Sequence, residues 1–390
     1  MDIRITPQKL SGVVTPPASK SMAHRAVLAM ALADRQGTLS NLSDSQDIQA
    51  TRRCVEALKA PRPDGELPFL DCGESGSTLR FLIPIALALR GGGVFTGRGR
   101  LMERPQGPYF DIFDEKGIFH EQKDGVLTVR GNLTPGVYRL PGNVSSQFVT
   151  GLLYALPLLP GDSVIEITTP LESGGYVDMT LDMLAQFGIS VENQNYACFR
   201  VPGNQAYQAR DIAVEADWSQ AGFWYAAAFL DNSVQPTGLN PASAQGDKVV
   251  SELYWKLARP GDVDIDMSGC PDLLPPLAVM AAVRNGATHF INAARLRMKE
   301  SDRLTTTAAL LRALGVPAEE TADSLTVRGV PSFSGGTVDG ANDHRIVMAA
   351  AAAATAAAAP VTVTGAEAVR KSYPSFWEEY KRLGGSFDVL

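Results

Sequence analysis

A chain of 390 residues with 45% hydrophobic and 20% charged positions is too apolar for a disordered protein and too long for one ordinary core, so two domains of roughly 150–200 residues are expected. Thirty-five Lys and Arg against 42 Asp and Glu leave a formal charge of −7, which excludes a general polyanion-binding surface and confines any cationic site to a local cluster. No apolar stretch has the flanks of a membrane span, the opening MDIRITPQKL has no signal- or transit-peptide character, and four cysteines without paired spacing and four histidines outside HExxH or CxxC contexts argue for a reduced cytoplasmic setting without a metal centre.

In chain order, the first helical segment, SKSMAHRAVLAMALA (19–33), is apolar all round after a polar opening. It is followed by the β-like GTLSNLS and the amphipathic DIQATRRCVEALKA. The same succession returns as SGSTLRFLIPIALAL (75–89), GVFTGRGRL and GPYFDIFDEKG, then as SSQFVTGLLYALPLL (145–159), SVIEITTPL and YVDMTLDMLAQFG. It continues with DWSQAGFWYAAAFL (217–230), SVQPTGLN and DKVVSELYWKLARPG, with PDLLPPLAVMAAV (271–283), THFINAARL and DRLTTTAALLRALG, and with NDHRIVMAAAAAATAAAA (342–359), PVTVTGAEAV and YPSFWEEYKRLGG. Further strands such as VLTVRG and SLTVRG follow some amphipathic helices.

A helix without a polar stripe must be buried on all sides, and glycine closing most of the amphipathic ones supplies a left-handed cap. The openings at Ser21, Ser77, Ser146, Ser219, Asp272 and Asp343 lie 56, 69, 73, 53 and 71 residues apart, a sixfold internal repeat. This predicts helices enclosed by sheets, three units to a core. An ordinary doubly wound sheet is the rival, but no glycine-rich dinucleotide loop or P-loop stands at a strand-to-helix junction.

Several buried helices open with a cap residue and a cation or amide: Ser19, Lys20, Ser21 and Arg25; Gly76, Ser77 and Arg80; Ser145, Ser146 and Gln147; Asn342, Asp343 and Arg345. Serine and aspartate are good N-caps, which explains the hydroxyls. The arginines need another reason, because a cation in a helix's first turn opposes the macrodipole by about 0.3–1 kcal/mol unless an anion sits there too. A single such arginine reads as reaching out to solvent. Recurrence at three or more helices reads instead as sites for small phosphate- or carboxylate-bearing anions.

The stretch RLRMKESDRL (295–304) packs Arg295, Arg297, Lys299 and Arg303 with Glu300 and Asp302. Ser301 is expected to cap a helix running from about Asp302, with Arg303 in its first turn. If that helix reached back to Lys299, Lys299 and Arg303 would be like-charged neighbours and Glu300 would point to the apolar side with Leu304. An exposed ion-pair cluster and a site both fit. Asp272 opens a helix expected to be wholly buried, either as its N-cap or as a base toward a substrate hydroxyl.

PASKSMAHRA, ESGSTLRFL, LMERPQGPYFD, GNVSSQFVTGLL, GGYVDMTLDML, VEADWSQAGF, RMKESDRL, GANDHRIVMA and RKSYPSFW resemble, in order, signature segments of the enolpyruvyl transferase family, and within it of the 5-enolpyruvylshikimate-3-phosphate synthases. The resemblance implies an α/β two-domain fold of six βαβαββ repeats with helices packed inside sheets, three per domain. It implies an N-terminal domain, 18–213, on the shikimate 3-phosphate side, and a C-terminal domain, 1–17 plus 214–390, on the phosphoenolpyruvate and catalytic side. The implied reaction moves the enolpyruvyl (carboxyvinyl) group of phosphoenolpyruvate to the 5-hydroxyl of shikimate 3-phosphate and releases phosphate, on the route to chorismate and aromatic amino acids. It uses no metal or cofactor, and the resemblance implies a cytoplasmic monomer with small-molecule substrates and neither nucleic acid nor membrane as partner.

Residue by residue, the resemblance implies Lys20, Ser21, Arg25, Ser145, Ser146, Gln147, Ser173, Asp272 and Lys299 as shikimate 3-phosphate ligands. Lys20, Gly76, Arg104, Gln147, Arg303, Arg345 and Lys371 are the implied phosphoenolpyruvate ligands. Gly76 fits because a side chain there would block close approach to an anion at the helix end. Asp272 resembles the acceptor of the 5-hydroxyl proton, Glu300 the residue exchanging protons with the methylene carbon, and Lys20 and Lys299 complete the implied catalytic set. Three departures stand out: Arg295 where several members have asparagine, Glu74 where a neutral residue is common, and Phe81 after Arg80 where proline is frequent.

A UDP-N-acetylglucosamine enolpyruvyl transferase shares the fold and donor but uses a loop cysteine, and TGRGRLMERP (96–105) has Gly99 at the equivalent place. A non-catalytic anion-binding protein of the same fold could lose Asp272 or Glu300, and both are present. RNA 3'-terminal phosphate cyclases, related by fold, find no nucleotide-binding histidine motif or basic surface here.

Overall fold

A helix that is apolar on every face has to be wrapped, and here small sheets do the wrapping. In the computed structural model, which describes residues 1–35 and 37–390, the six apolar segments form the helices Lys20–Leu32, Gly76–Arg90, Ser146–Ala155, Trp218–Phe229, Leu274–Ala281 and His344–Ala354. The chain divides into two units, Met1–Ser19 with Glu215–Leu390, and Lys20–Val214, and each holds three of these helices. The amphipathic runs form Gln46–Lys59, Gly107–Lys116, Gly174–Gln186, Val250–Leu257, Arg303–Ala313 and Phe376–Arg382. Gly117 closes the second of them at φ 66°, the left-handed cap that glycine adopts without steric cost.

In the unit Lys20–Val214, one sheet orders Phe69–Asp71, Gly92–Thr96, Val126–Arg130 and Phe119–Lys123. A second orders Gly136–Leu140, Ser163–Ile167, Cys198–Val201 and Glu192–Gln194. In each, the first two strands are parallel, since the buried helix is the crossover between them, and an antiparallel hairpin completes the sheet. Leu39–Ser40 and Ile212–Ala213 form a two-stranded parallel pair.

The other unit repeats this plan. Val263–Asp266, Ala287–Ile291, Leu325–Arg328 and Ala318–Glu320 form one sheet, and Ser11–Val14 pairs in parallel with Ser233–Pro236. In the last sheet, Gly336–Asp339 and Val361–Thr364 are joined by Ile3–Thr6 and Ser386–Val389, so the chain's first strand closes its last repeat. The helix His344–Ala354 is buried along its whole length and packs on both Trp218–Phe229 and Leu274–Ala281. Its alanines keep that approach close, and Tyr380 donates to the Ala351 carbonyl at 3.3 Å. Among the described residues no helix is long and apolar enough to cross a membrane.

One polar group inside the helix Lys20–Leu32 carries a pH signature. His24 is 1% exposed, with Nδ1 2.7 Å from the Thr51 hydroxyl, and burial, reinforced by Lys20 and Arg25, holds its pKa well below the ordinary 6.5. Above about pH 6.5 the imidazole is neutral in folded and unfolded chains alike; below it only the unfolded chain takes the proton. Unfolding free energy should therefore fall as pH drops below 6.5, by up to about 1.4 kcal/mol per pH unit from this group. Urea titrations of the wild type and His24→Asn across this range should show the acid-side loss reduced in the variant.

Candidate functional site

In the unit formed by Met1–Ser19 and Glu215–Leu390, the charges converge on Arg303, the first residue of Arg303–Ala313 and only 1% exposed. Burial alone would lower its pKa, but Asp343, Glu300 and Asp272 outweigh burial and hold it raised. Its Nε donates to Asp343 Oδ2 at 3.0 Å, its Nη2 to Glu300 Oε2 at 2.6 Å and its Nη1 to Asp272 Oδ1 at 2.8 Å. Asp272 gathers two more cations, Arg345 Nη2 at 2.8 Å and Lys299 Nζ at 3.3 Å. Burial pushes Lys299 down to about 8, helped by Arg303 and Arg295 and opposed by Asp272.

Asp343, 0% exposed, does two jobs at once. It caps His344–Ala354 by accepting the Arg345 N–H at 2.9 Å, and it accepts from Ser301 Oγ at 2.9 Å while gripping Arg303. Just before it, Ala341 and Asn342 both lie at φ 51°, and the Asn342 carbonyl so presented accepts from Lys371 Nζ at 2.6 Å. Left-handed backbone at non-glycine residues costs about 1–2 kcal/mol each, so the surrounding contacts must offset it.

The stretch 295–304 divides in two. Ala294–Met298 is a 3-10 turn, residues 299–302 are not helical, and the helix begins at Arg303. Lys299 and Arg303 are therefore not helical neighbours; they meet at the same Asp272 oxygen. Because the helix starts at Arg303, Asp302 rather than the expected Ser301 is its cap, accepting from the Thr305 N–H at 3.1 Å. Arg297 is the ion-pair decoration, 2.8 Å from Asp302 and 3.3 Å from Glu320 with its side chain 30% exposed. Arg295 is buried and donates to the Ser268 carbonyl at 2.7 Å. Asp272 is not a cap either: it lies in the turn Pro271–Leu273 ahead of its helix, between the capping positions Cys270 and Leu273.

In the unit Lys20–Val214 the buried Arg25 meets neutral groups instead. Arg25 donates through Nε to Thr180 Oγ1 at 2.9 Å, through Nη1 to the Ser21 carbonyl at 2.8 Å and through Nη2 to the Tyr176 carbonyl at 2.7 Å. Burial pushes its pKa down to about 10. Lys20 Nζ lies 2.9 Å from Asp47 Oδ2. Gln147 is held at both ends of its amide, accepting from Arg80 Nη1 at 2.9 Å and donating to Ser77 Oγ at 3.0 Å. Arg80 also donates to the Pro105 carbonyl at 2.8 Å and lies 4.7 Å above the Phe148 ring, so it is a buried strut rather than an arm in solvent.

Arg104 lies against the Gly76 backbone so closely that a Cβ on Gly76 would stand 2.4 Å from Nη1. What a side chain at Gly76 would meet is thus this guanidinium. Ser145, in extended backbone, caps Ser146–Ala155 by accepting the Gln147 N–H at 3.3 Å. The caps at the other two openings are Ser75 and Asp217, ahead of Ser77 and Ser219. Ser173 is buried at φ 56°, at the N-cap position of Gly174–Gln186.

The geometry thus joins Asp272, Lys299, Glu300, Arg303 and Arg345 in one contact set, with Lys371 tied to it through Asn342 beside Asp343. Sequence reasoning missed Asp47, the strut Arg80, the anchoring role of Asp343, and Asp247. Asp247, 3% exposed, accepts from the Ser219 hydroxyl. Burial and the charge of Asp272 push its carboxyl up to about 6, against Arg345. The available signal was a carboxylate opening an otherwise amphipathic helix, at Asp47 in DIQATRRCVEALKA and Asp247 in DKVVSELYWKLARPG. Among the described residues no group of three or more His, Cys, Asp or Glu could hold a metal ion.

The EPSP synthase (3-phosphoshikimate 1-carboxyvinyltransferase) family model matches residues 5–380. The 3-phosphoshikimate 1-carboxyvinyltransferase of Clostridium acetobutylicum is 43% identical, covering 98% of this chain and 97% of that protein. That of Clostridium kluyveri is 42% identical, covering 99% and 98%. Among solved structures, EPSP synthase from Acinetobacter baumannii superposes with a TM-score of 0.79 over 100% of this chain and 99% of that one, at 24% identity. The enolpyruvyl transferase NikO from Streptomyces tendae does so with a TM-score of 0.77 over 99% and 98%, at 18% identity. The two-unit α/β architecture is the one these structures have.

Asp343→Asn keeps a capping side chain but removes the buried countercharge of Arg303, and should cost about 3–5 kcal/mol in urea unfolding. Gly76→Ala meets no positive-φ penalty but must displace Arg104. It should weaken binding of an anionic ligand at this helix opening several-fold in calorimetry while leaving the unfolding free energy within about 1 kcal/mol.

Proposed function

The chain belongs to the EPSP synthase (3-phosphoshikimate 1-carboxyvinyltransferase) family, and from that membership we propose that it transfers the enolpyruvyl group of phosphoenolpyruvate to the 5-hydroxyl of shikimate 3-phosphate, releasing inorganic phosphate. The observation that carries the reading is the contact set itself: Lys299, Arg303 and Arg345, cations suited to an anionic donor, share Asp272 and Glu300, two carboxylates able to move protons. Lys20, Ser21, Arg25, Ser145, Ser146, Gln147 and Ser173 are assigned to shikimate 3-phosphate. Gly76, Arg104, Arg303, Arg345 and Lys371 are assigned to phosphoenolpyruvate, with Lys20 and Gln147 serving both and Asp272 and Lys299 also serving the acceptor. The residues 18–213 and 1–17 with 214–390 are the corresponding domains of a cytosolic monomer.

On this reading Glu300 gives a proton to the methylene carbon of phosphoenolpyruvate, whose double-bond electrons form the new C–H bond and leave the neighbouring carbon cationic. The 5-hydroxyl oxygen attacks that carbon as its proton passes to Asp272. The tetrahedral adduct then breaks its C–O bond to phosphate, Glu300 takes back a methyl proton as the double bond reforms, and the proton on Asp272 leaves with phosphate. Lys299, Arg303 and Arg345 stabilise the charge on the departing group. A UDP-sugar acceptor fits less well, because the family rival's loop cysteine has no counterpart: Gly99 sits at φ 57° and a Cβ there would meet Glu74 Oε2 at 2.7 Å.

Incubating the protein with shikimate 3-phosphate and phosphoenolpyruvate should release phosphate; absent turnover, or equal turnover with UDP-N-acetylglucosamine, would sink the reading. Glu300→Gln should lower kcat by about 10²–10⁴ and leave shikimate 3-phosphate affinity nearly intact. Lost affinity would assign Glu300 a structural role. Because burial pushes Lys299 down to about 8, it carries its charge below that pH and loses it above, so KM for shikimate 3-phosphate should climb above about pH 8. Lys299→Arg should move that climb to higher pH.

A further inference from the structure

The arginines of the contact set are not exposed to an incoming anion; carboxylates stand in front of them. Arg303 and Arg345 have side chains 1% and 4% exposed, whereas those of Asp272 and Glu300 are 15% and 18% exposed. Behind Arg303 lies Asp343 at 0%, fixed by the helix it caps and by Ser301. Arg303 thus has one permanent carboxylate on its buried side and two on its solvent side, at 2.8 and 2.6 Å. The Asp272 oxygens occupy N–H groups of both arginines, Oδ1 on Arg303 and Oδ2 on Arg345, which is how two oxygens of a carboxylate or phosphate would occupy them.

We propose that Asp272 and Glu300 hold the place of the donor's anionic group on Arg303 and Arg345, and that the donor binds by exchange, displacing them. The exchange is noncovalent: the arginines trade oxygens of the protein's own carboxylates for oxygens of the donor's anionic group. It also prepares both carboxylates. Asp272 is held by Lys299, Arg303 and Arg345 and Glu300 by Arg303, and cations this close favour the ionised carboxylate over the protonated one. Once the donor takes the arginines, Asp272 becomes a stronger base and Glu300 can bind the proton it must deliver. Donor binding is in this way coupled to arming the proton-transfer groups, and neither is armed while the donor is away.

The inference rests on the reading of Arg303 and Arg345 as donor ligands, so its test uses sulfate, a dianion that does not titrate near neutrality, rather than turnover. The probe is sulfate binding followed by calorimetry in two buffers of different ionisation enthalpy at about pH 5.5. Asp272→Asn should bind sulfate roughly three- to tenfold tighter than the wild type, although it loses a residue the reaction needs. Asp343→Asn removes the same charge from the same arginine, but from its permanent side, and should show no gain. The wild type should take up a fraction of a proton per sulfate bound, and Asp272→Asn less. Unchanged or weaker binding in Asp272→Asn, or an equal gain in Asp343→Asn, would overturn the exchange in favour of simple charge removal. If Asp272→Asn does not fold, as judged by circular dichroism, absence of proton uptake by the wild type overturns it.

Discussion

Arg303 keeps its charge at 1% exposure because carboxylates outweigh burial, and the one buried completely with it is Asp343. Because Asp343 is also the cap of His344–Ala354, the position of the charge is set by the end of a helix, and the end of that helix is set by how its alanines pack among the neighbouring helices. Apolar burial thereby fixes an ion pair to a definite place. Arg345 follows two residues on, in the first turn, and with it the second arm of the grip on Asp272. A change deep in the alanine helix would move Asp343, then Arg303, then Asp272, without touching any charged residue.

Two buried arginines, Arg25 and Arg303, solve the same electrostatic problem differently. Arg25 is buried among two hydroxyls and two carbonyls, so its charge is solvated but not cancelled. Burial then works against that charge, and the pKa falls. Arg303 is surrounded by carboxylates, and its pKa rises. An uncancelled cation attracts an anion at long range; a cancelled one binds only by exchange. On the proposed assignment the acceptor meets the first kind of arginine and the donor chiefly the second.

The apolar helices were legible in the sequence because nothing polar interrupts FLIPIALAL or IVMAAAAAA, and their sixfold recurrence carried the layered fold with it. The strand that begins three of the four four-stranded sheets was not, since FLD, VDID and GTVD are too short and polar to show a period of two. In the site, types and rough places were readable but partners were not. RLRMKESDRL contains both a solvated pair, Arg297 with Asp302, and a buried hub, Arg303, and only the start of the helix at Arg303 separates them. Arg80 looked like an arm because its partners, Gln147 and the Pro105 carbonyl, lie 67 and 25 residues away in the chain.

The pairing of Ile3–Thr6 with Val361–Thr364 and Ser386–Val389 has a temporal meaning. A ribosome delivers the first strand early and its partners last, on the order of tens of seconds later at ordinary elongation rates. Lys20–Val214 is one unbroken stretch that forms a compact unit, and can fold while the remainder is still being made. Met1–Ser19 must wait. Until Ser386–Val389 emerges, the sheet that backs His344–Ala354 lacks one of its four strands.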